Sequence, residues 1–185
     1  MRQTTHHVAF LMAALAVATP AVADFCAELE VVPVMGAPRE EPPESGLGRD
    51  RDAGKPGGQA GFSASEVLDL RLEVELTGDI PAFGLLRLEL VSPNGHLYER
   101  QLVPVSTDAE RADTSTAVDG YPFPLEVQTL RPGEAEGALE GAVFTLPVAG
   151  TAIASSGLYG HWQARLTLDG EPITCEKAFG FVIRP

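Results

Sequence analysis

Beyond its N-terminal leader, this chain predicts an antiparallel β-sandwich of about seven to eight strands. Three observations carry that expectation. Apolar residues recur at every second position in several segments, no later segment holds a 3.6-residue period, and Gly, Pro, Asn and Asp turns separate the segments. Alternating strands have one face to bury, and two such sheets bury each other about 10 Å apart. A closed barrel uses the same pattern and is the alternative.

Residues 1–23 read as a secretory signal peptide. Arg2 supplies the positive start, Val8 to Val17 is an apolar run, and Ala21-Val22-Ala23 fits the small-x-small cleavage pattern before Asp24. The run is shorter than the ~20 apolar residues a membrane helix needs, and no later stretch approaches that length. The expectation is a soluble exported protein, secreted or periplasmic, with no membrane span. Residues 24–35 hold the first strand, Ala27 to Val34, with Pro33 arguing for an edge position. Residues 36–61 are rich in Gly, Pro and charge, with Leu47 the one large aliphatic, and are expected to form a long flexible insertion.

Residues 62–185 complete the same domain. Leu68, Leu70, Leu72, Val74 and Leu76 alternate with Asp69, Arg71, Glu73 and Glu75 as a long half-buried strand. Leu86, Leu88 and Leu90 form the next. Ser92-Pro93-Asn94-Gly95 turns the chain, Asn-Gly offering positive φ, and 96–103 return as its partner. Ser106 to Asp119 reads as a loop, and Leu125 to Leu130 as a short strand bounded by Pro124 and Pro132. Val143 to Val148 is a strand that Pro147 ends or places at an edge. Trp162, Ala164, Leu166 and Leu168 face inward on another, Asp169-Gly170 turns, and Phe179, Phe181 and Ile183 form the last. The expected core is Leu70, Leu72, Val74, Leu88, Trp162, Leu166, Phe179 and Phe181, with Trp162 at its centre.

Loss of residues 1–23 leaves 162 residues, room for one domain, and moves the formal charge from −13 to −14 by removing Arg2. So acidic a chain repels phosphate backbones and anionic lipid, which argues against nucleic acid and membrane surfaces as partners. Cys26 and Cys175 are the two cysteines, and in an oxidising compartment they are expected to pair. Ala23-Asp24-Phe25 before Cys26 does not fit a lipoprotein anchor.

Reactive side chains are sparse. Past the leader there are two histidines, His96 and His161, and one methionine, Met35, with no HExxH or HxH spacing. No metal site, cofactor or catalytic residue is therefore assigned. Asp50-Arg51-Asp52 lacks the spaced pattern of a calcium loop. Gly61-Phe62-Ser63-Ala64-Ser65 lacks the second Gly of a nucleophile elbow. Glu73 and Glu75 beside Arg71 read as a solvated strand face.

Phe144-Thr145-Leu146-Pro147, then Ser156-Gly157-Leu158-Tyr159-Gly160-His161-Trp162-Gln163-Ala164-Arg165, and finally Ala178 to Ile183 resemble the last strands of bacterial immunoglobulin-like or macroglobulin-type modules. Ser92-Pro93-Asn94-Gly95 resembles their middle turn. The resemblance covers roughly residues 67–183 and implies an immunoglobulin-like sandwich. The insertion at 36–61 departs from it, and a shared fold transfers no activity. The leading functional expectation is a non-catalytic exported module that binds a protein or another envelope component through end loops or an edge strand. A carbohydrate- or small-molecule-binding domain is the alternative, with Tyr98, Tyr121 and Phe123 as its candidate aromatics. An enzyme is the third reading, with no residue assigned to it.

Overall fold

The computed structural model describes residues 25–36, 60–112, 114–173 and 179–185. The leader, Asp50-Arg51-Asp52, Cys175 and most of the 36–61 segment lie outside the described residues. The fold is mostly β, and its centre is the leucine-rich strand β3 (Val67–Gly78), whose Leu70, Leu72, Val74 and Leu76 are buried. On one side β3 pairs antiparallel with β1 (Phe25–Met35), and on the other with β10 (Ala138–Pro147). The two-residue β9 (Arg131–Pro132) completes this four-stranded sheet in the order β1-β3-β10-β9. Pro33 lies on the outermost strand, where a missing N–H breaks no interior ladder.

The second sheet runs β2 (Gly61–Ser63), β13 (Phe179–Arg184), β11 (Gly160–Leu168), β4 (Phe83–Val91), β5 (Leu97–Ser106) and β8 (Gln128–Thr129). β12 (Glu171–Pro172) folds back on β11 across Asp169-Gly170, both at positive φ (52° and 88°), as a two-residue hairpin requires. The remaining short strands, β6 (Ser115–Thr116) and β7 (Leu125–Glu126), pair with each other. One buried cluster draws on both main sheets: Leu72, Phe144 and Leu146 from the first, and Leu88, Leu166, Phe181 and Ile183 from the second.

Trp162 is fully enclosed in this cluster. Its ring stacks on Phe181 at 6.2 Å, meets Tyr98 edge-on at 5.1 Å, and its indole N–H donates to the Leu158 carbonyl at 3.2 Å. The carbonyl satisfies the polar end of a side chain that is otherwise apolar. No helix among the described residues is long and apolar enough to cross a membrane. Among the described residues the one α-helix, α1 (Ala152–Ser155), is a single turn capped by the Thr151 hydroxyl at 3.2 Å, and it buries Ile153.

Several expectations need correction. Leu68 is 45% exposed although it continues the alternation of β3. Register passes from Val34↔Asp69 to Met35↔Val67, so Leu68 is the extra residue of a bulge and loses its inward phase. Phe179 is only half-buried, because β2 flanks β13 from Val182 onward and leaves its start uncovered among the described residues. Leu125 to Leu130 is not one strand: it divides into β7, which pairs with β6, and β8, which pairs with β5. Ser106 is fully buried at the end of β5, with its hydroxyl donating to the Ala82 carbonyl at 2.9 Å, so the following loop starts later. That loop also holds a 3-10 turn, Ala109–Arg111, and β6. Gly61 belongs to β2 rather than to the insertion. In the Ser92–Gly95 turn, Gly95 alone takes positive φ (83°), not Asn94. Two of the short pairings, β2 with β13 and β5 with β8, are parallel.

Candidate functional site

A groove of about 1070 Å³ lies on the outer face of the four-stranded sheet. Alternation in β1 and β3 turns Leu29, Val31, Leu72 and Val74 toward the core and leaves Glu28, Glu30, Glu73 and Glu75 on the opposite face. Register then sets Glu28 directly across from Glu75 and Glu30 across from Glu73. Like charges directly opposite one another destabilise a sheet. The floor of this groove is thus built against its own folding stability.

β10 supplies the far wall. Its register slips between Leu139 and Ala142, opposite Leu76 and Val74, so Glu140 and Gly141 bulge out of the ladder. Gly141 sits at φ 121°, and a Cβ there would lie 2.7 Å from the Thr129 carbonyl oxygen, so the bulge needs glycine. Glu140 lies opposite Arg131 of β9, and its carboxylate accepts the Glu134 backbone N–H at 3.2 Å. Six glutamates (Glu28, Glu30, Glu73, Glu75, Glu134 and Glu140) and two arginines (Arg71 and Arg131) line the groove.

Among the described residues, one ion pair relieves this charge at short range. Arg71 Nη2 lies 3.0 Å from Glu73 Oε1, with both side chains largely exposed, a contact worth about 0–1 kcal/mol. Glu75 stays uncompensated. Partial burial pushes its carboxyl above the usual glutamate range, and the charges of Glu140 and Glu28, a hydrogen bond with Glu140 and the charge of Glu134 push the same way.

The other sequence-derived candidates do not meet at one place. His96 is exposed after the Ser92–Gly95 turn, and His161 is exposed on β11. Ser63 lies in β2, its hydroxyl 2.8 Å from that of Ser65 and donating to the Pro185 carbonyl at 3.2 Å, so it sits on no strand-to-helix turn. Tyr98 is not an exposed platform, because its ring packs against Trp162. Tyr121 and Phe123 are exposed, Phe123 by 76%. Among the described residues, no group of three or more His, Cys, Asp or Glu side chains is placed to hold a metal ion.

Sequence reasoning saw Glu73 and Glu75 as a solvated face but missed the groove. The alternation of Glu28 and Glu30 with Leu29 and Val31 was the available signal for half of it. Arg131, Glu134 and Glu140 reach it only through the β9–β10 hairpin and its bulge, which no local pattern announces. No protein-family model matches this chain, and neither does any curated protein.

Proposed function

We propose that this protein is an exported, non-catalytic module with an immunoglobulin-like β-sandwich fold, and that it binds a protein of the cell envelope or its surroundings. In this reading residues 1–23 are removed before Asp24, and Cys26 and Cys175 form a disulfide that ties the first strand to the stretch of chain preceding the last. The observation that supports it is the acidic groove. Its facing glutamates cost stability in the free protein, and a cationic segment laid along β1, β3 and the β10 bulge relieves that cost. The fitting partner is a lysine- or arginine-bearing stretch of polypeptide. The net charge of the whole chain steers such a partner toward it.

The test is a titration of the mature protein with lysine-rich, arginine-rich and neutral peptides at low and physiological salt. Basic peptides are expected to bind, binding is expected to weaken as salt rises, and Glu30→Lys with Glu73→Lys is expected to abolish it. Equal binding by the charge-reversed variant, or none by any basic peptide, refutes the reading. A second reading, glycan recognition, draws on exposed Tyr121 and Phe123. A glycan array with Phe123→Ala as control separates the two.

A further inference from the structure

We propose that Arg87 and Arg165, on the outer face of the second sheet, form with the Thr167 hydroxyl a binding site for a phosphate-type oxyanion. The site lies on a different sheet from the acidic groove. Alternation buries Leu86, Leu88 and Leu90 of β4 and Ala164, Leu166 and Leu168 of β11, so Arg87, Glu89, Arg165 and Thr167 take the opposite, outward positions. Register then sets Arg87 across from Thr167, Arg165 across from Glu89, and Glu89 across from Arg100 of β5. Arg87 therefore has Arg165 and Arg100 as its two diagonal neighbours, each about 7–8 Å away.

The charge on this face is left over. Arg100 commits both Nε and Nη2 to Glu89 Oε1, at 2.8 Å each. Among the described residues, Arg87 and Arg165 have neither a hydrogen bond nor an ion pair. A chain with 26 acidic and 13 basic residues has carboxylates in surplus, yet among the described residues Glu89 is the one carboxylate paired with these three arginines. Two uncompensated guanidinium groups side by side repel each other, and an anion held between them turns that repulsion into attraction.

Thr167 is a second, independent mark. Its Oγ1 is buried and has no hydrogen-bond partner among the described residues. Its cross-strand neighbours are Arg87 and, on the other side, Pro172 of β12. A buried hydroxyl without a partner bears a desolvation cost that a bound acceptor removes. Arg87 stands beside this hydroxyl across the strands, and Arg165 stands two residues along its own strand. Both arginines are exposed at the ends of long stems, so they can part to admit a small anion.

Two guanidinium forks and one hydroxyl match a tetrahedral oxyanion, since each fork can take two oxygens at once. A carboxylate, with two oxygens, fills one fork only. The formal charge of −13 opposes approach to an anionic bilayer, which favours a small soluble phosphate or sulfate over a lipid headgroup.

The experiment is a nuclear magnetic resonance titration of the isotope-labelled mature protein with sodium phosphate, sulfate or chloride at matched ionic strength. Phosphate and sulfate are expected to shift the amides of Arg87, Arg165 and Thr167 saturably, and chloride is not. Arg87→Gln and Arg165→Gln should each weaken binding about tenfold or more, because a charge-assisted contact is lost. Thr167→Val, of the same shape without the hydroxyl, should weaken it about 2–10-fold, and Glu89→Gln should tighten it. Flotation with phosphatidylglycerol vesicles distinguishes the source. Free-anion binding without vesicle capture is expected, whereas capture lost in the double arginine variant assigns the same site to a lipid-borne phosphate. Shifts that phosphate and chloride produce alike, or phosphate binding that survives loss of both arginines, overturn the proposal.

Discussion

Replacing Trp162 with alanine should bring the domain close to unfolding. The indole is fully enclosed, stacked on Phe181 and edge-on to Tyr98, and its N–H is spent on the Leu158 carbonyl. Large-to-small changes at a buried tryptophan cost about 3–5 kcal/mol. Each aromatic pair adds about 0.5–1.5 kcal/mol beyond the area it buries. With both pairs lost at one site, the upper end, about 5 kcal/mol, is expected, against a total of about 5–15 kcal/mol for a domain. Trp162→Phe keeps much of the ring packing but leaves the Leu158 carbonyl without its donor, and should cost about 1–3 kcal/mol. Urea unfolding followed by far-ultraviolet circular dichroism is the suitable assay, because Trp162 is the only tryptophan and its removal abolishes the intrinsic fluorescence signal. A loss below 1 kcal/mol for the alanine variant, with an unchanged denaturant slope, would show that the two sheets do not close over this ring.

Four further outcomes are expected. The raised pKa of Glu75 means that its contribution to stability is fully present below the unfolded glutamate pKa and is lost as pH rises through the higher folded value. Glu75→Gln should therefore raise the thermal midpoint at neutral pH and flatten its fall through the mildly acidic range; an unchanged pH profile contradicts this. Gly141→Ala, strained at φ 121° and crowded by the Thr129 carbonyl, should cost about 1–3 kcal/mol in the same urea assay, and a neutral result means the bulge relaxes. Alkylation of the unreduced mature protein should modify neither Cys26 nor Cys175, and reduction should remove up to roughly 5 kcal/mol for a loop of about 150 residues; two modified thiols defeat the bridge. N-terminal sequencing of exported material should begin at Asp24, and a retained leader defeats that assignment.

The long strands were legible because their physics is local. Leu70 to Leu76, Leu86 to Leu90 and Trp162 to Leu168 each write the inside and outside of a sheet into every second residue, and each is buried as written. Pro33 similarly foretold an outer strand. What failed was decided by partners distant in sequence. Leu68 follows the alternation perfectly and is still expelled, because the slip belongs to the pairing with Met35. Leu125 to Leu130 looks like one strand because nothing in it shows that β6 and β5 will each claim part of it. The groove was half legible for the same reason: the β1 and β3 glutamates follow from period, whereas Glu140 arrives through a bulge fixed by the Thr129 backbone.

That divided stretch has a mechanical consequence. Within eight residues the chain pairs Leu125 with Thr116, donates the Val127 N–H to Thr114, sets Gln128 beside Val105, gives the Leu130 N–H to Ser106 at 2.7 Å, and joins Arg131 to Glu140 of the opposite sheet. It acts as the spine of a book whose covers are the two sheets. Parting the covers along this margin breaks all of these bonds together, so the amides of Val127 and Leu130 should exchange with solvent only in the deepest openings of the molecule.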